Sequence, residues 1–406
     1  MKSVTMIVWN EFRNDARVLK EAQTLQSAGY EVTVHALHTP GVTQEREVLA
    51  DGVKVVRVAR SPLWRLRKDK PSSSNASHSI ANSKGAGVIG SIGLKTQVLR
   101  VIARLWTHAG LLWQMIKSRP DIVHAHDVNT LPTAWLAARL SGAKLVYDAH
   151  EISTSREGYS SFRKLVALVE KFLMPRADGT ITTTDARAKF FARAYGIARP
   201  VVLQNRPRAQ TLVKSNRIRE ELSLTKPWPI ILYQGGIQQG RGLERLVSVA
   251  AEVPDAYFVF IGGGRLEQTL KDIVSELKLK ERVHFISTVA LAELPFYTAS
   301  ADIGVQPIEN TCLNHYTTDS NKLFEYVHAG LPVISSALPE IRKVIYQYNL
   351  GVLVKPGCSV SLTQAIKSMV LDVDKRILHA NMARQAVNYL SWECQESLLL
   401  DLYRRI

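Results

Sequence analysis

Short runs rich in β-branched and aromatic residues recur along the whole chain with helical patterns between them, and this alternation restricts the fold more than any other feature. In the first half the runs fall at residues 4–9, 31–35, 53–58, 121–125, 144–148, 180–184 and 201–204. In the second half they fall at 230–234, 257–261, 283–286, 303–306, 332–335 and 351–354. In the first half, all but the pair at 31–35 and 53–58 are separated by a stretch with helical spacing. A parallel neighbour is reached only through a crossover, so the pattern predicts parallel sheets covered by helices on both faces. The fold class is α/β, as two doubly wound domains of similar size. Pro207, Pro227 and Pro229 interrupt the series around a helical stretch at 217–222. The hinge is expected at 206–210, giving domains at 1–205 and 206–390, with a helix at 391–406 packing back near the first. Doubly wound sheets bind ligands beyond the carboxyl ends of their strands, so two such domains imply a common central cleft.

Composition narrows the class. A chain of 406 residues is long enough for two or three domains, and two is the working count. With 46% hydrophobic and 22% charged residues, wholesale disorder and a fibrous rod are both excluded. No uncharged stretch reaches the ~20 apolar residues of a membrane helix. The apolar run at 4–9 is followed at once by Asn10, Glu11 and Arg13, too short for a signal-peptide core, so a cytoplasmic protein is expected. Cys312, Cys358 and Cys394 form neither an even disulfide set nor a C-x-x-C pair and read as packing residues.

The charge is uneven. Between Arg57 and Arg119 twelve basic residues face one acid, Asp69, so this segment carries +11 of the net +16. Such a block attracts phosphate-bearing partners: anionic lipid headgroups, a lipid diphosphate or nucleic acid. A solvated basic loop gives the same count. Residues 69–93 are mostly Ser, Asn, Gly and Ala, and 60–95 is expected to be a mobile basic insertion. From Leu94, apolar residues including Val98, Val101, Leu105, Leu112 and Trp113 recur at helical spacing, with Lys95, Arg100, Arg104 and Lys117 largely elsewhere on the wheel. This is a basic amphipathic helix, suited to an anionic membrane surface or to packing on a sheet. Nucleic acid is not expected as a partner, because the chain has no recognisable reader motif.

Three features of the second half suit phosphates. In "LYQGGIQQGRGLERL" a strand leads into Gly235, Gly236, Gly240 and Gly242 and then a helix, with Arg241 adding a fixed charge. Gly262, Gly263 and Gly264 make a second strand-to-helix turn, which close packing explains equally well. In "TTDSNKLFEYVHAGLPVIS", Asp319 or Ser320 is expected to cap a helix with Asn321, Lys322 and Leu323 in its first turn and Glu325 at the same end. A diphosphate at that helix start beside Lys322, with Glu325 accepting from a ribose diol, is one reading; a capped surface helix with a salt bridge is the other.

Together "NKLFEYVHAGLPVIS", "YQGGIQQGRGLE", "DIVHAHD" and "LSWECQESLLLDLY" resemble the family 4 glycosyltransferases, over nearly the whole chain apart from residues 60–95. The resemblance implies the GT-B fold, two doubly wound Rossmann-like domains facing a central cleft, with acceptor on the first and nucleotide sugar on the second. It implies a retaining, metal-independent hexosyltransferase whose donor, a UDP- or GDP-sugar, is a substrate, with no separate cofactor. The acceptor expected is a glycan or lipid-linked molecule, reached at an anionic membrane surface through residues 57–119. Glu325 corresponds to the family's ribose-binding glutamate, and Arg241 stands where the family has a diphosphate-binding lysine. Two positions depart from the pattern: Thr317 replaces a glutamate near the transferred sugar, and Gly236 replaces a phosphate-binding arginine.

On the acceptor side, "DIVHAHD" places His124 and His126 on one face of a strand with Asp127 just beyond, and "LVYDAHE" ends the next strand with Asp148, His150 and Glu151. Two such histidines suit a transition metal, but no fixed third ligand is evident, and no metal is expected. By resemblance His126 lies near the donor sugar, and Asp127 or Glu151 is the candidate base, although in a front-face reaction the leaving phosphate takes that proton itself. Asn10, Asp15 and Arg17, after the first strand, are candidate contacts to donor or acceptor, as are His150 and Thr317; a helix cap at Asn14 or Asp15 with an internal ion pair is the alternative. The Asp372–Asp374 pair is not read as a metal-binding D-x-D signature, since no strand precedes it. A sugar-nucleotide 2-epimerase and a non-catalytic sugar-nucleotide-binding subunit are the competing readings.

Overall fold

Parallel pairing dominates both sheets. The computed structural model describes residues 1–61, 94–156, 162–210 and 214–406; most of the expected basic insertion at 60–95 lies outside the described residues. Two units are resolved: Met1–Thr183 with Arg187–Leu203 and Glu396–Ile406, and Gln204–Gln395 with Thr184–Ala186. The division falls ahead of the expected hinge at 206–210, and residues 391–395 belong to the second unit.

Along the first stretch run β1 (Ser3–Ile7), α1 (Ala16–Ser27), β2 (Glu31–His38), β3 (Arg46–Val48), β4 (Lys54–Ala59), α2 (Leu94–Ser118), β5 (Ile122–His126), α3 (Leu131–Ser141), β6 (Lys144–Ala149), α4 (Arg163–Leu173), β7 (Gly179–Thr182), α5 (Asp185–Tyr195) and β8 (Val201–Val202). The sheet order is β3-β4-β2-β1-β5-β6-β7-β8, so the chain winds outward from β1 in both directions. Only the β3–β4 pair is antiparallel. Three residues are too few to show a strand period, which is why β3 has no counterpart in the sequence reading. One face of the sheet is closed by Leu111 and Met115 of α2, Ala134 and Ala137 of α3, Leu173 of α4 and Phe191 of α5, all fully or nearly fully buried. Each of the Leu, Met and Phe side chains contributes roughly 1.5–3 kcal/mol relative to exposure.

The second stretch holds α6 (Arg217–Glu221), β9 (Ile230–Gln234), α7 (Leu243–Ala250), β10 (Tyr257–Ile261), α8 (Glu267–Glu276), β11 (Val283–Ile286), α9 (Leu294–Thr298), β12 (Ile303–Gln306), α10 (Leu313–Tyr316), α11 (Asn321–His328), β13 (Val333–Ser336), α12 (Pro339–Tyr348), β14 (Gly351–Val354), α13 (Ser359–Leu371), α14 (Val373–Ala386) and α15 (Glu393–Arg405). Its sheet, β11-β10-β9-β12-β13-β14, is wholly parallel. One core packs α7, α8 and α13 on it, and a second core packs α11, α12 and α14 on it. Asp372 caps α14 by accepting from Lys375 N at 2.9 Å, a helix-capping role.

Tyr326 of α11 fastens that helix to the sheet. Its buried hydroxyl lies 3.0 Å from Leu232 O, 3.2 Å from Val305 O and 3.3 Å from Gln234 N. The ring fits only because residue 304 in β12 is glycine, since a Cβ there would strike Tyr326 Cγ and both Cδ atoms. Gly304→Ala is therefore expected to destabilise the second unit by about 1–3 kcal/mol through overpacking, read as a lowered urea midpoint. An unchanged midpoint would show that Tyr326 can move aside.

Candidate functional site

Two clusters of functional side chains form, one in each unit. In the second unit, β9 ends at Gln234 and the chain turns through Gly235 with φ +115°. A Cβ on Gly235 would lie 2.8 Å from Lys322 Cε and 3.0 Å from its Nζ, so the lysine stem rests on a bare backbone. Lys322 Nζ stands 5.3 Å from the centre of the Tyr233 ring. Burial and then the neighbouring Arg241 push the Lys322 pKa down to about 8, against the pull of Glu325. Two cations beside a glycine turn are an arrangement chemically suited to a doubly charged anion.

Glu325 is oriented by a relay. Thr298 Oγ1 donates to Gln234 Oε1 at 2.8 Å, and Gln234 Nε2 donates to Glu325 Oε2 at 2.5 Å. The expected caps of α11 do not form. Ser320 occupies the N-cap position with φ 56° and makes no side-chain cap bond, while Asp319 Oδ2 accepts from Gln204 Nε2 at 2.9 Å. Asn321 is exposed at the helix start. Leu323 is fully buried in the core and its N–H already donates to Ser320 O, so it presents no free donor. Thr317 is buried, with its hydroxyl donating to Leu313 O at 2.8 Å and its carbonyl accepting from Thr184 Oγ1 at 2.9 Å. Gly236 is exposed, and a Cβ there would meet nothing closer than 3.7 Å.

In the first unit, register sets His126 beside Asp148 at the carboxyl ends of β5 and β6. Asp148 is fully buried and receives Arg17 bidentately, Nε to Oδ2 at 2.7 Å and Nη2 to Oδ1 at 3.0 Å, while Arg17 Nη1 donates to Leu203 O at 2.7 Å. Arg17 is thus enclosed by protein partners. Asn10 Nδ2 donates to Asp15 Oδ2 at 2.7 Å, and Asp15 caps α1 through Val18 N at 3.2 Å. His150 Nε2 lies 3.1 Å from Asp148 Oδ2 and 3.2 Å from His126 Nδ1, with its own Nδ1 3.8 Å from Asp127 Oδ2. Burial opposes protonation of His150, but Asp127 and Asp148 outweigh it and hold its pKa at about 9. Asp127 takes a left-handed φ of 64°, fixed by its N–H to Asp148 O and by Thr130 Oγ1 donating to its carbonyl. Among the described residues Glu151 joins the group through Arg156, whose Nε is 3.7 Å from it and whose Nη1 is 3.4 Å from Asp127.

Behind these lies a buried layer that sequence reasoning did not assemble. His124 and His126 stack with ring centres 4.3 Å apart, and both are kept neutral by burial. His124 Nδ1 meets the Tyr403 hydroxyl at 2.8 Å, and its Nε2 lies 3.8 Å from Glu21 Oε2. Burial and the adjacent Asp148 raise the Glu21 pKa to about 8, leaving it a neutral acid at pH 7 while Asp148 stays ionised. Glu21, His124, His126 and Asp148 each offer an atom within 4.8 Å of the others, so a third and fourth ligand do exist in space. Arg17 already supplies positive charge there, with Nε 3.1 Å from Glu21 and 2.7 Å from Asp148. Glu21 was legible as the i+4 partner of Arg17; Tyr403 and Gln234 gave no signal.

Known proteins resemble the chain along nearly its whole length. A family model described as "Glycosyl transferase 4-like domain" matches residues 15–206, and one described as "Glycosyl transferases group 1" matches 214–388. The 2-deoxystreptamine N-acetyl-D-glucosaminyltransferase of Streptomyces fradiae is 25% identical over 387 residues, covering 88% of this chain and 82% of its own. A D-inositol 3-phosphate glycosyltransferase of Corynebacterium urealyticum is 22% identical, covering 95% and 88%. Among solved structures, the sucrose-phosphate synthase of Thermosynechococcus elongatus superposes with a TM-score of 0.78 at 18% identity, covering 100% of this chain and 99% of its own. Anabaena HepE in complex with UDP-glucose does so with a TM-score of 0.73 at 15% identity, covering 100% of both.

The first unit's protonation makes a prediction. Glu21 rises from 4.5 to about 8 on folding and His150 from 6.5 to about 9, so the folded chain holds more protons than the unfolded one. Their contribution is complete at low pH and is lost as pH rises, through about 8 for Glu21 and about 9 for His150. Each proton is worth up to about 1.4 kcal/mol per pH unit where it differs between states. Denaturant midpoints of the first unit should fall from pH 6.5 to pH 9, and Glu21→Gln should flatten the lower part of that decline. A slope identical in wild type and Glu21→Gln would mean that Glu21 is ionised throughout.

Proposed function

The chain belongs to the family 4 type glycosyltransferases of the GT-B fold, and we propose from that premise that it transfers a hexose from a UDP- or GDP-sugar to a glycan or lipid-linked acceptor, with retention and without a metal. The observation that carries this reading is the pair Arg241 and Lys322 at the Gly235 turn, beside a helix start without a side-chain cap. The donor diphosphate would take both cations and the free N–H groups of α11, and Glu325, held by Gln234, would accept from the ribose diol. HepE, in complex with UDP-glucose, supports a nucleotide sugar as the ligand of this class of fold.

In the reaction the bond from sugar C1 to the diphosphate oxygen breaks and a bond from C1 to the acceptor oxygen forms on the same face. The acceptor proton passes to the departing phosphate oxygen. Lys322 and Arg241 stabilise the charge that grows on that oxygen, which is the main demand of such a step. On the first unit, Asp127, His150 and Glu151 at the ends of β5 and β6 would hold the acceptor. The work is assigned to the cytoplasmic face of an anionic membrane as a peripheral protein; no helix among the described residues is long and apolar enough to cross one.

Thermal shift and calorimetric titration with UDP-, GDP- and TDP-sugars test this. One nucleotide class should raise the melting temperature, with or without EDTA. Lys322→Ala should weaken binding about tenfold or more, the worth of a charged hydrogen bond of roughly 1.5–3 kcal/mol. Because the protonated lysine binds the diphosphate, wild-type affinity should fall as pH rises through about 8. No stabilisation by any nucleotide sugar would overturn the proposal, as would binding lost on adding EDTA for its metal-free part.

A further inference from the structure

We infer that the outer face of α2, α3 and α4 is a docking surface for anionic lipid, an assignment that takes its biological sense from the membrane-linked acceptor proposed above. The three helices form one layer, α2 packed on α3 and α3 on α4. Their inner sides share the core of the first unit. A helix with water outside carries mainly polar residues there, whereas these mix large apolar side chains with their basic ones. On α2, Ile102, Trp106 and Trp113 recur along one stripe, and on α4 Leu165, Leu168 and Phe172 do the same; all six are more than half exposed. Leu136 and Leu140 of α3, one turn apart, are exposed between them. A single exposed leucine means nothing, whereas a run of large apolar groups across neighbouring helices marks a surface that is covered in use.

The charges on the same helices decide what covers it. Residues 98–118 carry three Lys and Arg, 131–141 carry one and 162–176 carry four, eight in all against one carboxylate, Glu170. Glu170 is buried and accepts from Tyr147, Ser153 and Tyr195. Among the described residues of these three helices, every exposed ionised group is therefore cationic. A second copy of the chain would set these cations against one another, and a nucleic acid would leave the aliphatic stripe without a partner. A bilayer with anionic headgroups satisfies both at once: hydrocarbon takes the Leu, Ile and Phe side chains, phosphates take the Lys and Arg, and Trp106 and Trp113 suit the headgroup level. Residues 98–118 of α2 are thus one edge of a larger face, completed by α4, which the sequence places far from them.

Flotation with vesicles of phosphatidylglycerol and phosphatidylethanolamine, compared with phosphatidylcholine alone, tests the assignment. The wild-type chain should float with the anionic vesicles only. The double variants Trp106→Glu/Trp113→Glu and Leu168→Glu/Phe172→Glu should each reduce the bound fraction on the order of tenfold, while the melting-temperature rise caused by the donor nucleotide stays unchanged. Absence of wild-type flotation, or flotation of the α4 variant equal to wild type, would overturn the inference. So would a concentration-dependent dimer abolished by both variants, which would give the face to a second copy. Flotation without any nucleotide response would instead remove the transferase reading and leave the surface standing.

Discussion

The buried pair of Arg17 and Asp148 is the constraint on which the first unit's site depends. Neither group can reach water, and an unpartnered charge in that position would cost several kcal/mol. The pair therefore ties three strands' worth of chain together: the helix after β1, the end of β6 and, through Leu203 O, the end of β8. Asp148 is also the atom set against which His126 and His150 are placed, so the orientation of both imidazoles follows from where the guanidinium sits. Replacing the pair with apolar residues of similar size need not unfold the sheet, but it would leave the histidines without a reference.

The second unit reaches the same end with less charge. Its site is anchored from below by the Tyr326 hydroxyl, buried between β9 and β12, which fixes the height of α11 and with it Lys322 and Glu325. Close fits to glycine set both side chains: the Lys322 stem on Gly235 at the turn, and the buried Tyr326 ring on Gly304 beneath it. The two units illustrate different solutions to positioning polar groups in a parallel α/β sheet, one by ionic pairing in the core and one by steric fit beneath a turn.

Much of this was legible in the sequence, and the failures have physical causes. All six strands of the second sheet coincide with runs read from sequence, β13 shifted by one residue, because a strand buried on both faces is a continuous apolar run bounded by turn residues. β3 escaped because three residues have no period. The caps expected from Asp319 and Ser320 failed because Asp319 is drawn to Gln204 and Ser320 adopts a left-handed φ, and neither tertiary fact is local. Glu325, Lys322 and Arg241 were singled out by motif and resemblance, and the fold brings the three near one another. The relay from Thr298 through Gln234 was not, since it joins residues 64 apart that only the sheet brings together. The histidine layer was half seen: His124 and His126 show in the strand, whereas the tyrosine that completes their hydrogen bonding comes from α15.

That last contact has a consequence for how the chain is made. Tyr403 lies within Glu396–Ile406, which belongs to the first unit although the whole of Gln204–Gln395 is synthesised before it. At the ribosome's ~5–20 residues per second, the first unit must wait roughly ten to forty seconds with His124 Nδ1 lacking its Tyr403 partner. Over that interval the second unit has time to fold on its own, and the first becomes a finished body only on the arrival of residues 396–406.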